Sequence, residues 1–244
     1  MIRQHRVMRW LAAVFLLLAL PAHAAEPVDV ALVLVTDVSR SIDDSEFELE
    51  KQGYATAFTN PEVIAAIHGG PIGAIAVTYI EFASTYEVKT LLDWTVIRDD
   101  SSARAFSERL VRTPRSAYGR TAIGSGIELG LKALSTAPYD AQRRVIDVCG
   151  DGTNNNGPDV SGVRDDAVAA GITINGLAII NDHPVSWTFA HVQPPGGLAN
   201  YYRENVTGGN GSFVSEVHDF QTFGTAMTRK LINEIADAGT HRRL

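Results

Sequence analysis

One cysteine, Cys149, is all that the 244 residues contain, and a single thiol excludes an intramolecular disulfide framework. Its flanks, Val145–Val148 and Gly150, suit a small buried thiol, and no motif sets a histidine beside it as a catalytic thiolate requires. Histidine is also sparse, with seven in the chain, and His183, His191 and His218 show no metal-ligand spacing. Beyond the first 24 residues there is no second long apolar run, so no further membrane span is expected. A basic stripe is missing as well, which argues against a generic nucleic-acid binder. Gly119–Ser125 lacks the lysine of a phosphate-binding loop, and Gly124-Ser125-Gly126 is neither a dinucleotide fingerprint nor a nucleophile elbow. The Asp151 loop is not an EF-hand: Asn156 stands where glycine is needed and Gly162 where glutamate is needed. There is no internal repeat and no domain linker.

What is present begins with the N-terminus. Arg3, Arg6 and Arg9 precede the apolar run Leu11–Leu20, and Pro21-Ala22-His23-Ala24 supplies a small-x-small site. This pattern predicts a secretory leader cleaved after Ala24, hence an exported protein, periplasmic or secreted, with no stable membrane insertion after cleavage. Its removal leaves 18 Lys+Arg against 28 Asp+Glu, a net charge of −10. With 45% hydrophobic and 20% charged residues, the remainder is ordinary globular composition. The expected organisation is a leader over 1–24, one domain over 25–238 and a frayed tail over 239–244.

The periodicity alternates strand and helix. Val28–Thr36 reads as a buried strand. Asp43–Thr59 reads as a helix, with Asp43 and Glu46 at capping-box spacing, and Asp43 and Asp44 as charges favoured at its N-terminus. A short helix over Pro61–Ile67 follows. Ile72–Ala83 and Tyr86–Val96 read as a hairpin that places one antiparallel strand at a sheet edge. Then come helices at Ser101–Val111 and Thr121–Thr136, a strand at Arg144–Cys149, a helix at Pro158–Ala170 and a strand at Ile172–Ile180. Asn181–Asn210 reads as a long irregular segment. Its Trp187, Tyr201 and Tyr202 either face a partner or pack the segment down. A strand at Phe213–Val217 and a helix at Phe220–Ala236 close the chain. The fold class is therefore α/β: a doubly wound, mostly parallel sheet with helices on both faces.

In such sheets ligands bind where strands end, near a topological switch point. Asp37-Val38-Ser39-Arg40-Ser41 follows the first strand. Thr121, in Gly119-Arg120-Thr121-Ala122, stands at a helix start, and Asp151, in Cys149-Gly150-Asp151-Gly152, follows another strand. All five side chains, Asp37, Ser39, Ser41, Thr121 and Asp151, offer hard oxygen, suited to Mg²⁺ or Mn²⁺. On residues alone they also fit a cap, a turn and two loop aspartates. Asn154-Asn155-Asn156 suits either the rim of such an ion site or a simple turn, and the turn-forming reading is the one favoured.

These three segments, in this order and element context, resemble the von Willebrand factor A domain with its metal-ion-dependent adhesion site. The similarity spans about Val28–Ala236 and is nearest to an exported bacterial branch of that family with no assigned function. It implies that Ser39, Ser41 and Thr121 bind a divalent ion directly, Mg²⁺ or Mn²⁺ ahead of Ca²⁺, and that Asp37 and Asp151 act largely through water. It also implies that a protein or peptide partner completes the shell with an acidic residue. Arg40 departs from the glycine common between the two serines, and its cation can compete with the metal or recruit an acidic ligand. The expectation is a non-enzymatic, exported binding module. Alternatives are a metal-assisted phosphoester hydrolase and a structural subunit of an envelope assembly.

Overall fold

The computed structural model describes residues 25–180 and 194–240. The expected leader, His183, Trp187, His191 and residues 241–244 lie outside them.

Six strands form one sheet: β1 (Glu26–Asp37), β2 (Ile75–Phe82), β3 (Val88–Ile97), β4 (Tyr139–Gly150), β5 (Thr173–Ile179) and β6 (Val214–Val217). Their order is β3-β2-β1-β4-β5-β6. Every pairing is parallel except β2 with β3 at the edge, as the hairpin reading predicted. Seven helices accompany the sheet among the described residues: α1 (Asp44–Phe58), α2 (Pro61–His68), α3 (Asp100–Arg112), α4 (Ile123–Ser135), α5 (Val160–Ala169), α6 (Leu198–Tyr201) and α7 (Phe223–Thr240).

β1 is buried at every position from Val28 to Asp37, because a sheet covered on both sides hides both rows of side chains. Val30, Leu32 and Leu34 point to one layer, with Phe47, Tyr54 and Phe58 of α1, Phe106 of α3 and Met227 and Leu231 of α7. Ala31, Val33 and Val35 point to the other, with Ile123 and Ile127 of α4, Val163 of α5 and Leu198 of α6. Each such aliphatic side chain contributes about 1.5–3 kcal/mol by leaving water. Polar groups fix the ends. Asp43 caps α1 in a full capping box with Glu46, as its spacing predicted. Asp29, buried near the start of β1, accepts from the backbone N–H of Ile72 (3.0 Å) and Gly73 (2.7 Å), tying down the entry to β2.

Two elements differ from the sequence reading. β4 starts at Tyr139, because its register against β1 runs back to Glu26. Residues 139–144 are only partly buried or exposed, so they carry little apolar signal. Residues 194–210, read as irregular, contain α6 and a π-helical turn, Tyr202–Val206. Leu198, Tyr202 and Val206 recur at i, i+4 and i+8 and are all buried in the second layer; the surrounding proline and glycine mask that periodicity.

Candidate metal centre

The order β3-β2-β1-β4-β5-β6 reverses direction between β1 and β4, so the crevice at the carboxyl ends of those two strands is the switch point. Thr36 pairs with Cys149 in the register, which brings Asp37 and Asp151 to the same edge.

The structure gathers all five expected residues there. Ser39 Oγ lies 3.1 Å from Ser41 Oγ. Thr121 Oγ1 donates to Ser39 Oγ at 3.2 Å. Ser41 Oγ donates to Asp151 Oδ1 at 2.8 Å. Asp37 Oδ1 accepts the Ser39 backbone N–H at 2.7 Å, which bends the loop into the turn that presents both serines. Asp37, Ser39, Thr121 and Asp151 are buried and Ser41 is half-buried. Residues 110 positions apart thus share one chain of hydrogen bonds.

Several supporting residues carry no sequence signal of their own. Arg115, whose side chain is 4% exposed, donates through one nitrogen to the carbonyls of Val38 (2.9 Å), Ser39 (2.8 Å) and Ile42 (2.7 Å). Its guanidinium also pairs with Asp44 at 3.2 Å. The loop after β1 is therefore held from beneath by a fixed cation that binds carbonyls. The asparagine run does more than turn the chain. Asn155 Oδ1 accepts the Thr121 N–H at 3.1 Å, and Asn155 N–H donates back to the Thr121 carbonyl at 2.9 Å. Asn154 Oδ1 accepts the Gly124 N–H at 3.2 Å, supplying a cap to α4, whose own N-cap residue Ala122 has none. Asn156 Oδ1 accepts both the N–H and the hydroxyl of Thr85 at 2.8 Å. A D-G-x-N-N-N run reads as a loop; only the fold shows which backbone groups it serves.

Below the hydroxyls the interior is acidic. Burial holds the Glu50 carboxyl well above the ordinary glutamate range; the Cys149 thiol, donating at 3.2 Å, opposes this, and the charges of Asp37, Asp151 and Glu81 reinforce it. Burial likewise raises Glu81. Cys149 itself is wholly buried, as its flanks predicted, and burial pushes its thiol well up. Tyr202 walls the site from the second layer. A Cβ on Gly150 would stand 2.8 Å from the Tyr202 hydroxyl and 2.9 Å from Asp37 Cβ, so only glycine fits between them. The Tyr201 hydroxyl accepts the Asn154 N–H at 3.1 Å. Both tyrosines therefore pack their segment onto the domain.

Among the described residues no group of three or more His, Cys, Asp or Glu side chains has the makings of a metal site; the donor set here is led by hydroxyls. No helix among them is long and apolar enough to cross a membrane.

Comparison with known proteins fits this architecture. No curated protein matches the chain. Among solved structures, a von Willebrand factor type A protein from Catenulispora acidiphila is 16% identical, with a TM-score of 0.57 over 87% of this chain and 43% of that one. Proximal thread matrix protein 1 from the mussel byssus, in a form with zinc occupied MIDAS motif, is 17% identical, with a TM-score of 0.58 over 87% and 47%. The pilus adhesin SpaC from Lactobacillus rhamnosus GG is 16% identical, with a TM-score of 0.56 over 88% and 31%. The chain spans less than half the length of each of these proteins. At such identities the likeness establishes the fold, which is that of a von Willebrand factor A domain. The sequence matches the family described as "Protein of unknown function (DUF1194)" over residues 27–239, and the chain belongs to that family.

Proposed function

We propose that this protein is an exported binding module that engages a protein partner through a divalent ion held by Ser39, Ser41 and Thr121, with Asp37 and Asp151 behind them. The observation that carries this reading is the convergence of three hydroxyls and two aspartates, from three separate segments of the chain, on the switch-point crevice, where Thr121, Ser39, Ser41 and Asp151 are linked in series at 3.2, 3.1 and 2.8 Å. Hydroxyl and carboxylate oxygens are the hard donors that Mg²⁺ and Mn²⁺ prefer. The zinc-occupied site of the mussel protein supports a divalent ion on this fold. When bound, the ion supplies a Lewis-acidic point for an acidic side chain of the partner.

The chain's own residues do the positioning. Arg115 fixes the loop carbonyls, and Asn155 fixes the Thr121 backbone. Asp37 and Asp151 orient the serine backbone and hydroxyl. A hydrolytic reading gains nothing from the thiol, since Cys149 lies beneath the sheet edge and hydrogen-bonds to Glu50.

Thermal melts with chelator and then with millimolar Mg²⁺ or Mn²⁺ test the proposal. An ion that binds only the folded state adds about 2.7 kcal/mol at a hundredfold excess over its dissociation constant. Wild type gains that increment, and Asp37→Ala, Asp151→Ala and Ser39→Ala lose it, the last without any change in charge. An equal response of wild type and all three variants to both ions defeats the proposal.

A further inference from the structure

The rim of the site has a character unlike the rest of the surface. The described residues expose three large hydrophobic side chains: Ile72, Tyr86 (99%) and Tyr118 (57%). Ile72 lies ahead of β2, at the opposite edge of the sheet. The two tyrosines flank the hydroxyl cluster. Tyr86 tops the turn between β2 and β3, and that turn is stitched to the Thr121 segment by Ala122 N–H donating to the Ala83 carbonyl at 2.8 Å. Tyr118 precedes the same segment. It is stacked 4.1 Å from the Arg115 guanidinium and donates to Asp44 at 3.3 Å, so its exposed ring is fixed in place.

Two exposed arginines stand beside them. Arg40 sits between Ser39 and Ser41, and its N–H donates to the Gly119 carbonyl at 3.0 Å. Arg120 directly precedes Thr121, and its N–H donates to Ser84 Oγ at 2.9 Å. Neither guanidinium enters an ion pair among the described residues, a property they share with other exposed arginines such as Arg104 and Arg229, but these two stand beside the hydroxyls. The acids nearby are engaged: Asp44 by Arg115 and Tyr118, and Glu87 by the Ser84 N–H at 3.2 Å. A chain of net charge −7 thus presents two uncommitted cations and two exposed aromatics, one of them fixed in place, around one spot. Arginine and tyrosine are the residue types enriched in protein interfaces and their energetic centres.

We infer that this face docks an acidic protein segment carrying two carboxylates, one for the metal and a second for Arg40 and Arg120, with Tyr86 and Tyr118 covering its flanks. The first carboxylate rests on the metal reading above; the second rests on the rim alone. Rim charges act mainly on association rate and its salt dependence, and two exposed pairs are together worth about tenfold in affinity.

A display library of random short peptides, selected on the full chain in Mg²⁺, tests this. Wild type enriches peptides with two Asp or Glu residues. A synthetic copy of the best binds about tenfold more weakly to Arg40→Gln/Arg120→Gln, and the salt dependence of its binding flattens. The Mg²⁺ shift of that variant's melt is retained or grows, because two cations beside the ion are removed and no ligand is lost. Tyr86→Ser/Tyr118→Ser weakens the same peptide without altering its acidic pattern. Enrichment of singly acidic or neutral peptides, recovery of none, or an unchanged affinity in the arginine variant overturns the inference. Equal binding of phosphatidylglycerol vesicles overturns the assignment to a peptide. If the metal reading alone fails, doubly acidic peptides still bind through the arginines, equally with Mg²⁺ and with chelator.

Discussion

Replacing Lys230 with methionine isolates the energetics of a charge cluster buried in the middle of the sheet. Lys230 and Glu234 on α7 and Asp147 on β4 are all 0% exposed. The ammonium lies 2.6 Å from Asp147 Oδ1 and also binds Glu234. Asn175 on β5 donates to Glu234 Oε1 at 2.8 Å. Removing one partner of a buried ion pair costs about 3–5 kcal/mol, because it strands the remaining charge. At roughly 2–4 °C per kcal/mol for a domain of this size, the melting temperature falls by about 6–20 °C. The pH dependence is the sharper test. Burial, reinforced by Glu234 and opposed by Lys230, raises Asp147 to about 7 in the folded protein, against an unfolded value near 3.9. A carboxyl raised on folding binds more protons folded than unfolded, so its contribution is fullest below the unfolded value and is lost as pH rises through the folded one. Without Lys230 the folded value climbs further. The deficit of Lys230→Met against wild type therefore stays level up to about pH 7 and then deepens by up to ~1.4 kcal/mol per pH unit. Urea melts from pH 5 to pH 9 measure it. Asp147→Asn in the same background abolishes the deepening. A deficit below ~1 kcal/mol, or one that shrinks with rising pH, refutes the argument.

Three further outcomes follow from single contacts. Arg115→Ala removes one guanidinium from three loop carbonyls and should cost about 3 kcal/mol, since bonds to charged groups are worth ~1.5–3 kcal/mol each and do not add; Arg115→Lys, a point charge that cannot fork, should recover less than half in the same melts, and full recovery would show that charge alone suffices. Gly53→Ala drives its new methyl into Phe223 Cδ1 and to 3.0 Å from Gly224 N; about 1–3 kcal/mol of destabilisation is expected where α1 crosses α7, and an unchanged melting temperature would show that the helices can part. Cys149 should resist a thiol reagent in the native protein and react only on unfolding, because burial raises its thiol and closes access; rapid native labelling would contradict the packing described.

The fold was legible because its signals are local. Val28–Val35 could only be a doubly covered strand, and the short link between Ile72–Ala83 and Tyr86–Val96 forced the antiparallel edge. The meeting of Asp37, Ser39, Ser41, Thr121 and Asp151 at one sheet edge was legible through their order along the chain and their places at element ends. Arg115 was not. Nothing in Thr-Pro-Arg-Ser distinguishes a guanidinium that will be buried under carbonyls 73–77 residues away from one left in water. The asparagine run failed for the converse reason: turn propensity explains it adequately, so its three cross-links to Thr121, Gly124 and Thr85 leave no excess signal. Tyr202 hid in a segment whose prolines and glycines argue against any helix, because a π-helical turn held by burial overrides propensity.

The buried charges of this sheet pose one problem twice. In mid-sheet, the chain supplies its own cation: Lys230 meets Asp147 and Glu234, and the two acids outweigh the burial that would otherwise lower the ammonium. At the carboxyl edge, Asp37, Asp151, Glu50 and Glu81 collect around the hydroxyls, and two buried cations nearby are committed elsewhere: Arg115 to loop carbonyls and the exposed Asp44, Lys51 to the carbonyls of Val111 and Thr113 and to Glu48. Burial raises both Glu50 and Glu81, which disfavours their charged forms and eases the repulsion there. In the proposed reading the remaining charge is what draws a divalent ion from solution, and Arg115 contributes by holding the loop rigid without competing for the aspartates.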